Sequence, residues 1–100
     1  MKVLFICSQN KYRSKVAEAL FSGRFETRSA GLHGGKEVTK EDLAWADVIA
    51  VMEEEHRLEL VKRFPMECKK KKVVSLDVVE GLPSNQLQEL LERKLRDALK

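Results

Sequence analysis

One hundred residues, 43% of them apolar and 35% charged, bound the chain to one compact folding unit, residues 1–100, that needs no disulfide or metal to fold. This length excludes a second catalytic domain, and a composition with only two prolines excludes an intrinsically disordered chain. The net charge of +3 resides largely in Lys69-Lys70-Lys71-Lys72, a run without interleaved aromatic residues, so a solvated connection is expected there and nucleic acid is not an expected partner.

Residues 2–6 form a continuous apolar, β-prone stretch suited to a central strand buried on both faces. It is too short for a membrane span and has no cleavage site behind it, so the expected location is the cytoplasm, with no membrane partner. From Ser14 the period becomes helical, with Val16, Ala19 and Leu20 on one face and Gly23 as the stop. A second strand is predicted over 24–29, followed by the loop Gly31-Leu32-His33-Gly34-Gly35. Thr39 with Asp42 makes a capping-box start for the next helix, and 48–52 is the third strand. Residues 53–63, acidic early and basic late, predict a helix, and 73–79 a fourth strand. After Gly81 and Pro83, Ser84 is predicted to cap a final helix whose stripe is Leu87, Leu90, Leu91, Leu95 and Ala98. Strands alternating with helices imply an α/β fold: a four-stranded parallel sheet flanked by helices in three layers.

In such sheets ligands bind beyond the carboxyl ends of the strands, here at the loop Cys7-Ser8-Gln9-Asn10-Lys11-Tyr12-Arg13. A loop of this length before a helix N-terminus can turn successive backbone N–H groups inward and cradle an oxyanion, which makes Ser8, Gln9, Asn10, Lys11, Tyr12 and Arg13 candidate phosphate-binding residues. Those donors, the helix dipole and Arg13 would favour the thiolate of Cys7, the candidate nucleophile. Arg13 offers a planar fork that grips two oxygens of a phosphoryl group. Asn10, mid-loop, suits a left-handed backbone position. The hydroxyl of Ser14 is placed to donate to the thiolate, stabilising it as nucleophile and later as leaving group. Read as structure alone, Cys7 is a buried strand end, Arg13 a surface cation and Ser14 a helix cap, but the placement between strand and helix favours chemistry.

The stretch from Val3 through Cys7 to Arg13-Ser14-Lys15-Val16-Ala17-Glu18-Ala19 resembles the opening of the low-molecular-weight protein tyrosine phosphatases, the mid-loop asparagine included. Arg28-Ser29-Ala30-Gly31 is similar to that family's Ser-Ala-Gly segment, and 46–52 to its third strand, so the likeness covers roughly the first two thirds of the chain, nearest to a compact branch of the family. The resemblance implies hydrolysis of phosphate monoesters, on a phosphorylated protein or a small ester, through a cysteinyl-phosphate and without a metal or other cofactor. A monomer or weak dimer is expected. The family's late Asp-Pro pair, whose aspartate protonates the leaving group, is absent; Leu76-Asp77-Val78-Val79-Glu80-Gly81 stands there instead. Glu80 is the first candidate acid and Asp77 the second. The aromatic residues that line the family's substrate groove are missing too, which leaves Tyr12 to meet a substrate ring. Tyr12 also replaces the family's second loop cysteine, so no neighbouring thiol protects Cys7 from oxidation.

Three alternatives share the loop. Arsenate reduction needs a resolving thiol, and only Cys68 is available in the chain. A phosphocysteine carrier of the sugar-phosphotransfer type does not need Arg13. A non-catalytic anion-binding module would keep the loop and lack a working acid. Cys68 itself reads as an inert thiol, Trp45 as a packing residue, and His33 and His56, without partners at metal spacing, as surface or core residues.

Overall fold

The uninterrupted apolar stretch after Met1 becomes the strand β1 (Lys2–Cys7), and Val3 to Ile6 are fully buried because the sheet is covered on both faces. In this computed structural model, which describes all residues 1–100, the helix α1 (Arg13–Phe21) follows β1 and leads to β2 (Glu26–Gly31). Then come α2 (Lys40–Trp45), β3 (Val48–Val51), α3 (Glu54–Arg63), α4 (Pro65–Lys69), β4 (Lys72–Ser75) and α5 (Ser84–Ala98). The four strands pair in parallel in the order β2-β1-β3-β4. Chain order reverses direction between β1 and β3, and the carboxyl ends of those two strands therefore open a crevice at the switch point.

Alternation along the strands divides the core in two. Val3, Phe5, Cys7, Ala50 and Met52 face the layer of α1 and α5, meeting Ala17, Phe21, Leu87, Leu91 and Leu95. Leu4, Ile6, Ile49 and Val51 face the other layer, with Leu43, Leu60 and Cys68. The two cysteines thus lie on opposite sides of the sheet, and both are free thiols. Burial and the nearby Glu67 carboxylate push the Cys68 thiol up from its ordinary pKa. Trp45 packs partly buried against the second cluster, with the Arg28 guanidinium 4.3 Å from its ring centre.

Several predicted elements shift or change. β2 runs two residues further than 24–29, because its end is fixed by pairing Gly31 with Cys7 rather than by its own weak strand pattern. β4 stops at Ser75 instead of 79: Asp77 has φ 56°, which breaks the extended chain, yet Leu76 and Val78 still reach the core. Ser84 does not cap α5; it is the first helical residue after Pro83, and its hydroxyl accepts from the Gln88 side chain at 3.1 Å. The Thr39–Asp42 capping box is present as expected. The short helix α4 interrupts the expected connection, started by Pro65 at its first turn. The lysine run is not a uniformly solvated linker. Lys71 Nζ donates to the carbonyls of Ala44 (2.9 Å) and Ala46 (2.6 Å), satisfying the end of α2. No helix is long and apolar enough to cross a membrane.

Candidate phosphate site

The loop between β1 and α1 is held from outside by its carbonyls. Leu32 N–H donates to the Cys7 carbonyl at 3.1 Å and His33 N–H to that of Ser8 at 2.7 Å. Asn10 takes the left-handed backbone, φ 53°, and is 3% exposed. The glycines of the next loop make room for this curl. A Cβ on Gly31 would collide with the Gly34 carbonyl and sit 2.9 Å from Asn10 N, and one on Gly35 would collide with the Gln9 carbonyl. With their carbonyls so engaged, the backbone N–H groups from Ser8 to Ser14 find no acceptor anywhere in the protein. A row of peptide N–H groups without protein acceptors beside a cavity is an arrangement suited to an anion.

That cavity, about 420 Å³, is lined by Cys7, Ser8, Gln9, Lys11, Tyr12, Arg13, Glu80 and Gly81. Asn10 lies beneath the lining, where its amide donates to Ser14 Oγ at 2.8 Å. Ser14 Oγ lies 3.0 Å from Cys7 Sγ. Because Ser14 Oγ already accepts from Asn10, its own proton is free to point at the sulfur. Cys7 is 4% exposed.

Arg13, also 4% exposed, is held chiefly through Nη1. Its Nη1 donates to Glu53 Oε2 (2.7 Å) and to the Val78 carbonyl (2.6 Å), and its Nη2 to Glu80 Oε1 (3.2 Å). Nε has no protein acceptor and Nη2 meets only the exposed Glu80 carboxylate, so the Nε and Nη2 edge, the fork suited to two phosphoryl oxygens, is covered by that one side chain. Glu53 follows the end of β3 and caps α3, and its N–H donates to His56 Nδ1 at 3.1 Å. Burial, and then the Arg13 charge, hold the buried His56 imidazole below its ordinary pKa of 6.5, against the opposing carboxylates of Glu53, Glu55 and Glu59.

A family model described as low molecular weight phosphotyrosine protein phosphatase matches residues 2–100. The chain belongs to this family. The match runs past the first two thirds of the chain, where the sequence likeness was concentrated, to the last residue. As a member of this phosphatase family the chain is a hydrolase, and its substrates are phosphorylated. Among solved structures, a YwlE mutant from Bacillus subtilis superposes with a TM-score of 0.79 at 22% identity, over 99% of this chain and 98% of that one. A YwlE arginine phosphatase variant with a phosphorylated active-site serine gives 0.79 at 22% identity, covering 99% and 95%. The low molecular weight protein tyrosine phosphatase of T. tengcongensis gives 0.75 at 23% identity, covering 99% and 97%. At these identities the likeness is one of fold. No curated protein matches the sequence.

The phosphatase fold gathers most of the residues singled out in the sequence. Cys7, Ser8, Gln9, Lys11, Tyr12 and Arg13 line the cavity, with Asn10 and Ser14 behind them. Of the two candidate acids only Glu80 lines it; Asp77 is exposed and outside the lining. Tyr12, 42% exposed, stands on the rim with its hydroxyl 3.5 Å from the Leu82 carbonyl. His33 pairs with Glu59 at the surface, and no cluster of His, Cys, Asp or Glu has the arrangement of a metal site. Sequence reasoning missed Glu53 and the Val78 carbonyl, while His56, read as a surface or core residue, is buried. A signal for Glu53 existed: it follows the end of β3 much as Cys7 ends β1, on the two strands that flank the switch point.

Proposed function

We propose that the chain is a cysteine-dependent phosphate monoester hydrolase of the protein tyrosine phosphatase type, acting through a cysteinyl-phosphate. The observation that carries this reading is the row of N–H groups without a protein acceptor from Ser8 to Ser14, in the loop that follows Cys7, together with an Arg13 guanidinium whose Nε is free and whose Nη2 meets only the exposed Glu80. A phosphoryl group on that floor has its equatorial oxygens bound by the peptide donors and the guanidinium, which stabilise the charge spread over them in the transition state. The Cys7 thiolate attacks phosphorus in line, the ester oxygen leaves, and Glu80, in the lining of the same cavity, gives it a proton. Water, with Glu80 now acting as base, then attacks the phosphocysteine. The Ser14 hydroxyl stabilises the thiolate as it departs, and inorganic phosphate is released. The phosphorylated active-site serine of the YwlE variant is consistent with a covalent phosphoryl group on this fold.

The geometry disfavours the arsenate alternative with an internal thiol. Cys68 lies across the sheet from Cys7, packed in the opposite cluster, and a disulfide requires Cα atoms within about 7 Å without backbone movement. The test of the proposal is hydrolysis of p-nitrophenyl phosphate between pH 5 and 8 without added metal, for the native protein and Cys7→Ser. Turnover that disappears in the folded variant is the expected result. Absence of turnover in folded native protein, or its survival in Cys7→Ser, refutes the mechanism.

A further inference from the structure

The charges that line the cavity are not equally engaged. Arg13 is answered by Glu53 at 2.7 Å and by Glu80 at 3.2 Å. Lys11, exposed at the mouth, forms no ion pair and no side-chain hydrogen bond with any group of the protein. It follows buried Asn10 and precedes Tyr12, whose hydroxyl lies 3.5 Å from the Leu82 carbonyl. The ammonium is tethered to the rim by its own stem. Gly81, in the same lining, has no side chain, and a Cβ there would meet nothing within 4 Å. The exposed carboxylate of the lining, Glu80, is paired with Arg13, so a residue beside a bound phosphotyrosine on the Lys11 side meets a cation that no protein carboxylate neutralises.

We propose that Lys11 determines specificity, selecting phosphotyrosine segments with a carboxylate side chain next to the phosphorylated residue and disfavouring cationic neighbours. The proposal rests on the phosphatase reading above. An exposed ion pair of this kind shifts affinity by about 2- to 5-fold, and exchanging attraction for repulsion by about 10-fold. The preference fades in ~1 M salt, where the Debye length is only about 3 Å.

The test uses three phosphotyrosine peptides that differ only in flanking Glu, Ala or Lys. Their binding to the Cys7→Ser protein is measured by fluorescence anisotropy, and their kcat/KM with the native protein by phosphate release. Both are repeated with Lys11→Gln and Lys11→Glu, and each protein is compared with itself across the peptides, so that a change in active fraction cancels. The expected order is Glu over Ala over Lys, levelled by Lys11→Gln and inverted by Lys11→Glu. An order that is flat in the native protein, or unchanged in Lys11→Gln, overturns the proposal. The expected binding order without any turnover leaves the Lys11 assignment standing and removes the phosphatase reading. Turnover without a charge order does the reverse.

Discussion

Glu80 pairs with Arg13, the guanidinium that the proposed mechanism assigns to phosphate, so neutralising it should have two effects of opposite sign. Its carboxylate lies 3.2 Å from Arg13 Nη2, with 76% of its side chain exposed. An ion pair so open to water is worth about 0.2–1 kcal/mol, and a phosphate dianion binding the same guanidinium must displace it or share with it. Removing the charge in Glu80→Gln should therefore tighten inorganic phosphate by about 1.4- to 5-fold. The same change removes the proton donor, and general acid catalysis is worth about 10²- to 10⁴-fold in rate. The loss should be largest for phenyl phosphate, whose leaving group is a strong base, and smaller for p-nitrophenyl phosphate, which leaves readily without a proton. Calorimetric titration with phosphate reads the first effect at low ionic strength, and steady-state kinetics on the two esters reads the second. Equal losses on the two esters would remove Glu80 as the acid. Unchanged or weaker phosphate binding would show that Glu80 does not compete for Arg13.

Ser14→Ala removes the hydroxyl facing Cys7 Sγ and leaves the buried Asn10 amide without its acceptor. A hydrogen bond to a charged group is worth about 1.5–3 kcal/mol, so breakdown of the phosphoenzyme should slow by about 10- to 100-fold, seen as a larger burst with a slower steady state. Glu53→Ala takes away one acceptor of the buried Arg13 and the residue that starts α3, and should cost about 2 kcal/mol in urea unfolding. Saturating phosphate, by supplying the missing counter-charge, should narrow that gap. His56 is held below its ordinary pKa in the folded protein, so the unfolded chain takes up the proton first as pH falls. Its contribution is present above pH 6.5 and is lost as pH drops below that value, and proton uptake on unfolding should be smaller in His56→Asn. Gly31→Ala forces a methyl group into backbone that cannot yield, and should lower stability by about 1–3 kcal/mol together with turnover.

The parts of the molecule legible in the sequence are those fixed by local chemistry. β1 is apolar at every position from 3 to 6, Asn10 is a residue type that tolerates positive φ, and Thr39 and Asp42 carry their capping box within four residues. The parts that were misread depend on partners distant in sequence. β2 ends where Cys7 pairs with it, and β4 ends at Ser75, opposite Val51 at the end of β3, although 73–79 reads as a single strand. Lys71 looked like part of a solvated run because the two carbonyls it satisfies lie at the end of α2. The Arg13 partners follow the same rule. Glu80 was singled out only as a candidate acid by its place after the fourth strand, whereas its pairing with Arg13, like that of Glu53 and the Val78 carbonyl, becomes visible only once β3 and β4 lie beside β1.

That dependence on distant partners accounts for how a short chain holds a precise anion site. Each strand end contributes one restraint: β1 delivers Cys7, β2 the glycine against which the loop curls, β3 the carboxylate on Arg13, and the turn after β4 the Val78 carbonyl. Val78 N–H is in turn tied to the Met52 carbonyl at 2.7 Å, so the turn that carries Glu80 is anchored beside β3 by backbone rather than by loop packing. Two acceptors on Nη1 fix the plane of the guanidinium, and a fixed plane spares the ordering entropy that a free arginine would lose on binding phosphate. Glu80 alone remains solvent-exposed, on a turn with positive φ at Asp77 and Gly81, and it makes a single weak contact. The site thus pairs a hydrogen-bonded floor with one solvent-exposed, singly held carboxylate, which is the division the proposed mechanism requires if the same group must leave the arginine when phosphate arrives and then hand a proton to the departing oxygen.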